Sequence, residues 1–225
     1  MGSDFSAKQA ESTVNTTEHD PGEQNILNGS FLQGTGVAVL VGGKSSRMGT
    51  DKAALRFDDA TFYQILCERM SFFPERFLSV NSFQNYSYPG YTLIRDEYPD
   101  TGPMGGILSV LNHFHGRCLM VIACDMPFFS ENEARRLLEQ YHGEDALIPV
   151  ADGRWQPLCA LYSASVSSLF LENIRKGDYR LKNAVTGADF RTVEISGDHA
   201  GCYLNINTPD DLKMYCESRS GGKLG

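Results

Sequence analysis

At 225 residues, with 41% hydrophobic and 21% charged side chains, the chain is long enough for one α/β domain with a full core and short for two. A formal net charge of −8 argues against a nucleic-acid partner, whose phosphates attract broad basic surfaces, but it leaves room for a local basic pocket built from Lys44, Arg47 and Lys52. No apolar run approaches the roughly 18 residues of a membrane span. The N-terminus lacks signal-peptide order, and the six cysteines show neither C-x-x-C pairs nor zinc-ligand spacing, as expected of reduced thiols in a cytoplasmic protein.

Residues 1–35 are rich in Ser, Thr, Asn, Glu, Gly and Gln and show no periodicity, which reads as a disordered leader or a cloning remnant. Val37 to Val41 is a continuous apolar run, the pattern of a strand buried on both faces. A Gly-rich loop follows from Gly42 to about Thr50. Residues 61–72 carry Phe62, Ile65, Leu66 and Met70 at helical spacing. Strands are expected at 77–81 and 91–94, then a Gly/Pro loop at 102–106 and a helix over about 104–115. Cys118 to Ala123 is a further buried strand. Ser130 and Glu133 have the spacing of a capping box ahead of Ala134, Leu137 and Leu138. Strands at 145–150 and 158–162 and a helix at 163–175 come next. Thr208-Pro209-Asp210-Asp211 marks a last helix start. This alternation predicts an α/β fold: a mostly parallel, Rossmann-like sheet in three layers, with helices on both faces.

Ligands of open α/β sheets bind beyond the carboxyl ends of the strands, and four stretches of distinctive chemistry fall at such ends. In Gly42-Gly43-Lys44-Ser45-Ser46-Arg47-Met48-Gly49-Thr50-Asp51-Lys52, glycines let backbone N–H groups approach phosphates, and Arg47 and Lys52 supply charge. The loop is not a P-loop, because Ala38 stands where that motif requires glycine. Cys124-Asp125-Met126-Pro127 offers a carboxylate suited to Mg²⁺, or an ordinary turn cap. Arg95-Asp96 is followed by Gly102-Pro103-Met104-Gly105-Gly106, whose glycines would let a loop lie flat against a base or ribose, or simply connect strand to helix. In Asn205-Ile206-Asn207 the two Asn side chains point the same way on an extended chain.

In their order, these motifs resemble the molybdenum cofactor guanylyltransferase family of the GT-A-like nucleotidyltransferases. The resemblance runs over about 36–216, with 217–225 left as a flexible tail. Its signature L-x-G-G-x-S-x-R-M-G-x-D-K spans Leu40 to Lys52, with Val41 where the family usually has Ala. Asp96, Gly-Pro-Met-Gly-Gly-Ile, Cys-Asp-Met-Pro, Gln156-Pro157-Leu158 and Asn205 to Pro209 follow.

The resemblance implies transfer of GMP from GTP to molybdopterin, molybdenum-loaded or not, with release of pyrophosphate. It implies that Leu40, Val41 and Gly42 contact the nucleotide through backbone. Lys52 would bind phosphates, Arg47 would neutralise the triphosphate, Asn81 and Asp96 would hold base or ribose, and Asp125 would bind Mg²⁺ and nucleotide. Gln156, Arg180, Asn205 and Asn207 would serve molybdopterin. Other cofactor-biosynthesis proteins and acceptor molybdoenzymes are implied partners. The rivals are a cytidylyltransferase on the same pterin, another small-substrate nucleotidyltransferase, and a non-catalytic nucleotide- or cofactor-binding module. Gly42-Gly43 and Gly102-Pro103 favour guanine over cytosine, and Arg47, Lys52 and Asp125 together favour an enzyme over a binder.

Overall fold

The computed structural model describes residues 31–41, 55–57, 59–81, 86–208 and 210–214. The expected leader up to residue 30, the loop 42–54 with Gly42, Lys44, Arg47 and Lys52, and the tail from 215 lie outside the described residues. The chain divides between Leu32 and Gln33, and the architecture below is that of the unit Gln33–Gly225.

The strands in chain order are β1 (Thr35–Leu40), β2 (Arg56–Phe57), β3 (Ala60–Thr61), β4 (Glu75–Val80), β5 (Thr92–Arg95), β6 (Cys118–Ala123), β7 (Ala146–Ala151), β8 (Arg154–Trp155), β9 (Cys159–Tyr162) and β10 (Phe190–Ile195). The helices are α1 (Phe62–Arg69), α2 (Pro103–Leu111), α3 (Glu131–Gln140), α4 (Ser167–Arg175), α5 (Leu181–Val185) and a short α6 over 210–214. The main sheet has the order β10-β7-β9-β6-β1-β4-β5, with β8 paired to β7, while β2 and β3 form a separate hairpin.

The unbroken apolar runs make β1 and β6 the centre of the sheet, with every residue buried. Their side chains alternate between two layers. Ala38, Leu40, Leu119 and Val121 join Met104, Ile107 and Leu108 of α2 and Phe170 of α4 in one cluster. Val37, Val39, Met120 and Ile122 point the opposite way, on the side where α1 meets β1. Burying each of the Val, Leu, Ile, Met and Phe side chains among them contributes about 1.5–3 kcal/mol, so these two strands anchor whatever follows them.

The sheet is less uniformly parallel at one end than the strand–helix alternation suggests. β1, β4, β5 and β6 run parallel, but β9 lies antiparallel between β6 and β7, and β10 is parallel to β7. The reversal begins at the β7–β8 hairpin, where Asp152 (φ 51°) and Gly153 (φ 69°) adopt the positive φ values that a tight two-residue loop needs. The expected helix at 163–175 divides into a 3-10 turn, Ala164–Val166, and α4.

From β1 the chain builds outward through β4 to β5. α2 then returns it to the other flank of β1 as β6. The direction of building therefore reverses between β1 and β6, and a crevice opens beyond their carboxyl ends.

Candidate nucleotide site

The expected site residues sort along this crevice in the order of the strands. Asp96 follows β5, Asn81 follows β4, Leu40 ends β1 with Val41 next after it, and Asp125 follows β6. Neighbouring strands lie about 4.8 Å apart, so about 14 Å separates the β5 and β6 ends. Backbone bonds lock the edge together: Val41 N–H donates to Ser79 O (2.8 Å), Asp96 N–H to Val80 O (2.9 Å) and Cys124 N–H to Leu40 O (3.0 Å). Two of these bonds involve the backbone of Leu40 and Val41. The Val41 N–H is engaged in the sheet, and the Leu40 carbonyl accepts one sheet bond and keeps a second lone pair.

Asp125 sits on a pinned turn. Met126 N–H donates to Ala123 O (3.1 Å) and Phe129 N–H to Met126 O (3.1 Å). Met126 and Phe129 are buried, and the Arg69 guanidinium of α1 donates to the carbonyls of Pro127 and Phe129. Asp125 is half-buried and engages other groups, while its Oδ1 is buried and accepts no hydrogen bond. The turn that carries this carboxylate is therefore fixed in place by its own backbone contacts.

Asp96 is held differently. Its Oδ1 accepts from Tyr98 N–H (2.9 Å) and, at 3.5 Å, from Ser109 Oγ. Burial raises its pKa above the usual carboxylate value, and those hydrogen bonds only partly oppose the rise. Gly105 and Gly106 explain how Asp96 can sit so close to α2. Both are buried within the helix. A Cβ on Gly105 would lie 2.2 Å from Thr101 Oγ1, 2.6 Å from Tyr98 O and 2.9 Å from Asp96 Oδ1; one on Gly106 would lie 2.9 Å from Ser79 Oγ. These glycines therefore bring helix and strand ends together, and the expectation that they form a loop lying flat against a base is corrected. Gly102, at φ 67° just ahead of α2, is the residue in that motif whose backbone demands glycine.

The residues expected on the molybdopterin side divide. Because β9 is antiparallel, its start lies beside the end of β6, and Leu158 O accepts from Ala123 N–H (2.8 Å). Gln156 thus comes to the same edge, with its N–H donating to Pro149 O (2.8 Å). The 205–207 segment reaches Asp125 directly, through Ile206 N–H to Asp125 O (2.7 Å), with Asn205 and Asn207 exposed on either side. Asn207 and Thr208 N–H both donate to Asp211 Oδ2 (2.9 Å), and Asp211 N–H to Thr208 Oγ1 (3.0 Å), capping α6 as its sequence suggests. Arg180 is not joined to this group by its described contacts. It precedes α5, its side chain is 82% exposed, and its guanidinium lies 3.9 Å from Asp178.

The Ser130–Glu133 pair keeps only half of its expected role. Ser130 Oγ accepts from Glu133 N–H (3.2 Å), but the Glu133 carboxylate is wholly buried and turned to Arg136, His199 and Tyr203. A cavity of about 490 Å³ opens elsewhere, beside Asp59, Gln64, Glu68, Arg69 and Tyr88. Two carboxylates in its wall make it a poor seat for a triphosphate. Among the described residues no three His, Cys, Asp or Glu side chains gather into a metal-ligating group. Sequence reasoning missed the β7–β8 hairpin, although Asp152-Gly153 directly after an apolar strand is a hairpin signal.

Comparison with known proteins identifies the family and the fold. Residues 37–191 match the family described as the MobA-like NTP transferase domain. A probable molybdenum cofactor guanylyltransferase of Clostridium perfringens (strain 13 / Type A) is 30% identical over 184 residues, 78% of this chain and 93% of that protein. Among solved structures, the molybdopterin-guanine dinucleotide biosynthesis protein A of Archaeoglobus fulgidus superposes with a TM-score of 0.69 at 27% identity, covering 83% of this chain and 99% of its own. The 2-C-methyl-D-erythritol 4-phosphate cytidylyltransferase of Thermus thermophilus shares the fold, with a TM-score of 0.60 at 16% identity over 81% of this chain and 98% of that one. The chain therefore belongs to the MobA-like family of nucleotidyltransferases.

Proposed function

We propose that this chain transfers GMP from GTP to the terminal phosphate of molybdopterin, releasing pyrophosphate and forming the guanine dinucleotide cofactor. The observation that carries the reading is the spatial order Asp96, Asn81, Val41, Asp125, Gln156 along one sheet edge. That order fits a substrate pair laid across the crevice. Guanosine lies over the ends of β5 and β4, the phosphates lie at β1 and β6, and molybdopterin enters past Gln156, Asn205 and Asn207. Arg180 has the weakest claim to that last group.

A phosphate oxygen of molybdopterin attacks the α-phosphorus of GTP. The new P–O bond forms as the bond from the α-phosphorus to the bridging oxygen breaks, and pyrophosphate departs in line with that electron pair. The attacking oxygen is already anionic, so no protein nucleophile is required, and the protein's part is positioning and charge neutralisation. Asn81 and Asp96 orient the nucleoside. Lys52 and Arg47, in the Gly-rich sequence that follows Val41, bind the triphosphate and offset the charge gathering on pyrophosphate. The hard oxygens of Asp125, on a fixed turn facing the phosphate position, are the donor type that Mg²⁺ takes when phosphates supply its other ligands. When bound there, Mg²⁺ withdraws charge from the phosphate oxygens.

We assign the reaction to the cytoplasm. The five described cysteines are free and four of them are buried, which suits a reducing compartment, and no described helix is long and apolar enough to cross a membrane. Delivery of the product to acceptor molybdoenzymes, aided by other proteins of the same biosynthesis, follows from this reading.

Nucleotide choice is the test. The protein is incubated with molybdopterin, Mg²⁺ and each NTP in turn, and the dinucleotide product and pyrophosphate are measured. Product from GTP at least about tenfold faster than from CTP is expected, since a site that hydrogen-bonds one base discriminates strongly against another. Preferential CMP transfer, or nucleotide binding without pyrophosphate release, would overturn the proposal.

A further inference from the structure

The Glu133 carboxylate is completely shielded from solvent, yet it lies on a helix that otherwise presents an ordinary amphipathic face. Four donors converge on it. Two come from its own helix: Arg136 Nε to Oε2 (2.9 Å) and Arg136 Nη2 to Oε1 (2.6 Å). The other two come from residues far along the chain: Tyr203 Oη donates to Oε1 (2.6 Å), and His199 Nδ1 lies 2.7 Å from Oε2. Both belong to the 3-10 segment Gly197–Tyr203, which leads within four residues to Asn205 and Asn207.

That division matters. Arg136 by itself would leave buried carboxylate lone pairs unfilled, which is unfavourable in a dry interior. The 197–203 segment fills them when it docks. Further contacts set its direction: the Tyr203 ring packs edge-on against Phe129 at 5.7 Å, Cys202 Sγ lies 3.7 Å from Ser130 Oγ, and Ile206 N–H reaches Asp125 O. Every one of these partners belongs to the stretch 125–133, the Asp125 turn and the first turn of α3.

We propose that Glu133 is a positioning residue: by receiving Tyr203 and His199 it seats the 197–207 segment on the Asp125 turn and so sets where Asn205 and Asn207 meet the acceptor substrate. The inference rests on the reading of those two asparagines given above. It predicts a larger effect on the acceptor than on GTP, because Asp96 is held by Tyr98 and Ser109, and the Asp125 turn by Ala123, Met126 and Arg69, none of which lies in this segment.

The test uses the full-length protein with Glu133→Gln and, as a milder change that keeps the ring on Phe129, Tyr203→Phe. Amide hydrogen exchange at Ile206 reads the docking itself. GTP and molybdopterin KM values, measured separately, read its consequence. Exchange at Ile206 is expected to quicken about tenfold in both variants, the response to losing one or two buried hydrogen bonds from a locally opening segment. The KM for molybdopterin should rise about tenfold while that for GTP stays within about twofold. Unchanged Ile206 exchange in both variants overturns the inference. So does an equal rise of both KM values, which marks Glu133 as a general stabiliser. Faster exchange with an unmoved molybdopterin KM sinks the assignment of the asparagines beneath the inference, while leaving the docking itself demonstrated.

Discussion

Gly105→Ala sets local propensity against packing. Alanine is favoured over glycine in a helix interior by about 1 kcal/mol, so on propensity alone the variant gains stability. The surroundings reverse the sign. The added methyl would stand 2.2 Å from Thr101 Oγ1, 2.6 Å from Tyr98 O and 2.9 Å from Asp96 Oδ1. Thr101 can turn aside only by giving up its 2.6 Å hydrogen bond to Tyr98 O, a loss of about 1 kcal/mol. Tyr98 O is backbone and yields only if the whole turn moves, an overpacking penalty of about 1–3 kcal/mol. The net destabilisation is about 2 kcal/mol. In a domain of this length each kcal/mol lowers Tm by roughly 2–4 °C, which gives a fall of about 4–8 °C. The same turn carries Asp96, so the KM for GTP should rise about tenfold, the worth of one displaced charged hydrogen bond. Gly106→Ala is the internal comparison. Its one close neighbour is the Ser79 hydroxyl, whose own bond to Gly106 O is long at 3.4 Å. It should therefore lose less, and the double variant with Ser79→Ala should recover most of the loss. Thermal denaturation and GTP titration measure both effects. A Gly105→Ala protein that melts at or above the parent, with unaltered KM for GTP, would refute the packing argument.

Asp125→Asn keeps the size of the side chain and removes its charge; transfer should fall by roughly a hundredfold with near-normal Tm, and added Mg²⁺ should restore part of the rate. Equal rates for the two proteins across a Mg²⁺ titration would reduce Asp125 to a turn residue. Asp96→Asn retains an acceptor for Tyr98 N–H. Because burial raises the Asp96 pKa, folding favours its protonated form, and the wild-type protein loses stability as pH rises from the ordinary carboxylate value through the raised one. Above that window the Asn variant should melt no lower than wild type while using GTP poorly; a clear drop in its Tm at neutral pH contradicts this. For Glu133, burial acts to raise the pKa, but the hydrogen bonds from Arg136, Tyr203 and His199 and the charge of Arg136 outweigh it and hold the pKa below the usual value. Its stabilising contribution is therefore full above about pH 4.3 and is lost as pH falls through the lowered value. The gap in Tm between wild type and Glu133→Gln should narrow on acidification, and a gap that is constant with pH would show that the charge is not what stabilises. Lys52→Ala should weaken GTP binding and slow transfer with no change in Tm, as isothermal titration and melting curves would report; unchanged GTP kinetics would remove Lys52 from the site.

The parts legible in the sequence are those where one local pattern has one physical solution. Five or six consecutive apolar residues ending at Val41 or Ala123 can be satisfied only by burial on both faces. The central strands, and with them the strand ends bearing Val41 and Asp125, could be located before any fold was known. The same holds for Thr208 and Asp211, which cap a helix through atoms three residues apart. What the tertiary structure alone decided depends on partners that no local pattern encodes. The antiparallel place of β9 between β6 and β7 brings Gln156 to the crevice, yet nothing within Cys159–Tyr162 specifies its neighbours. Gly105 and Gly106 look like loop glycines until the Asp96 turn is laid against them. Glu133 has the spacing of a cap, but two of its four donors stand 66 and 70 residues away. A buried carboxylate takes the arrangement that fills all its lone pairs, and only the folded chain brought those donors within reach.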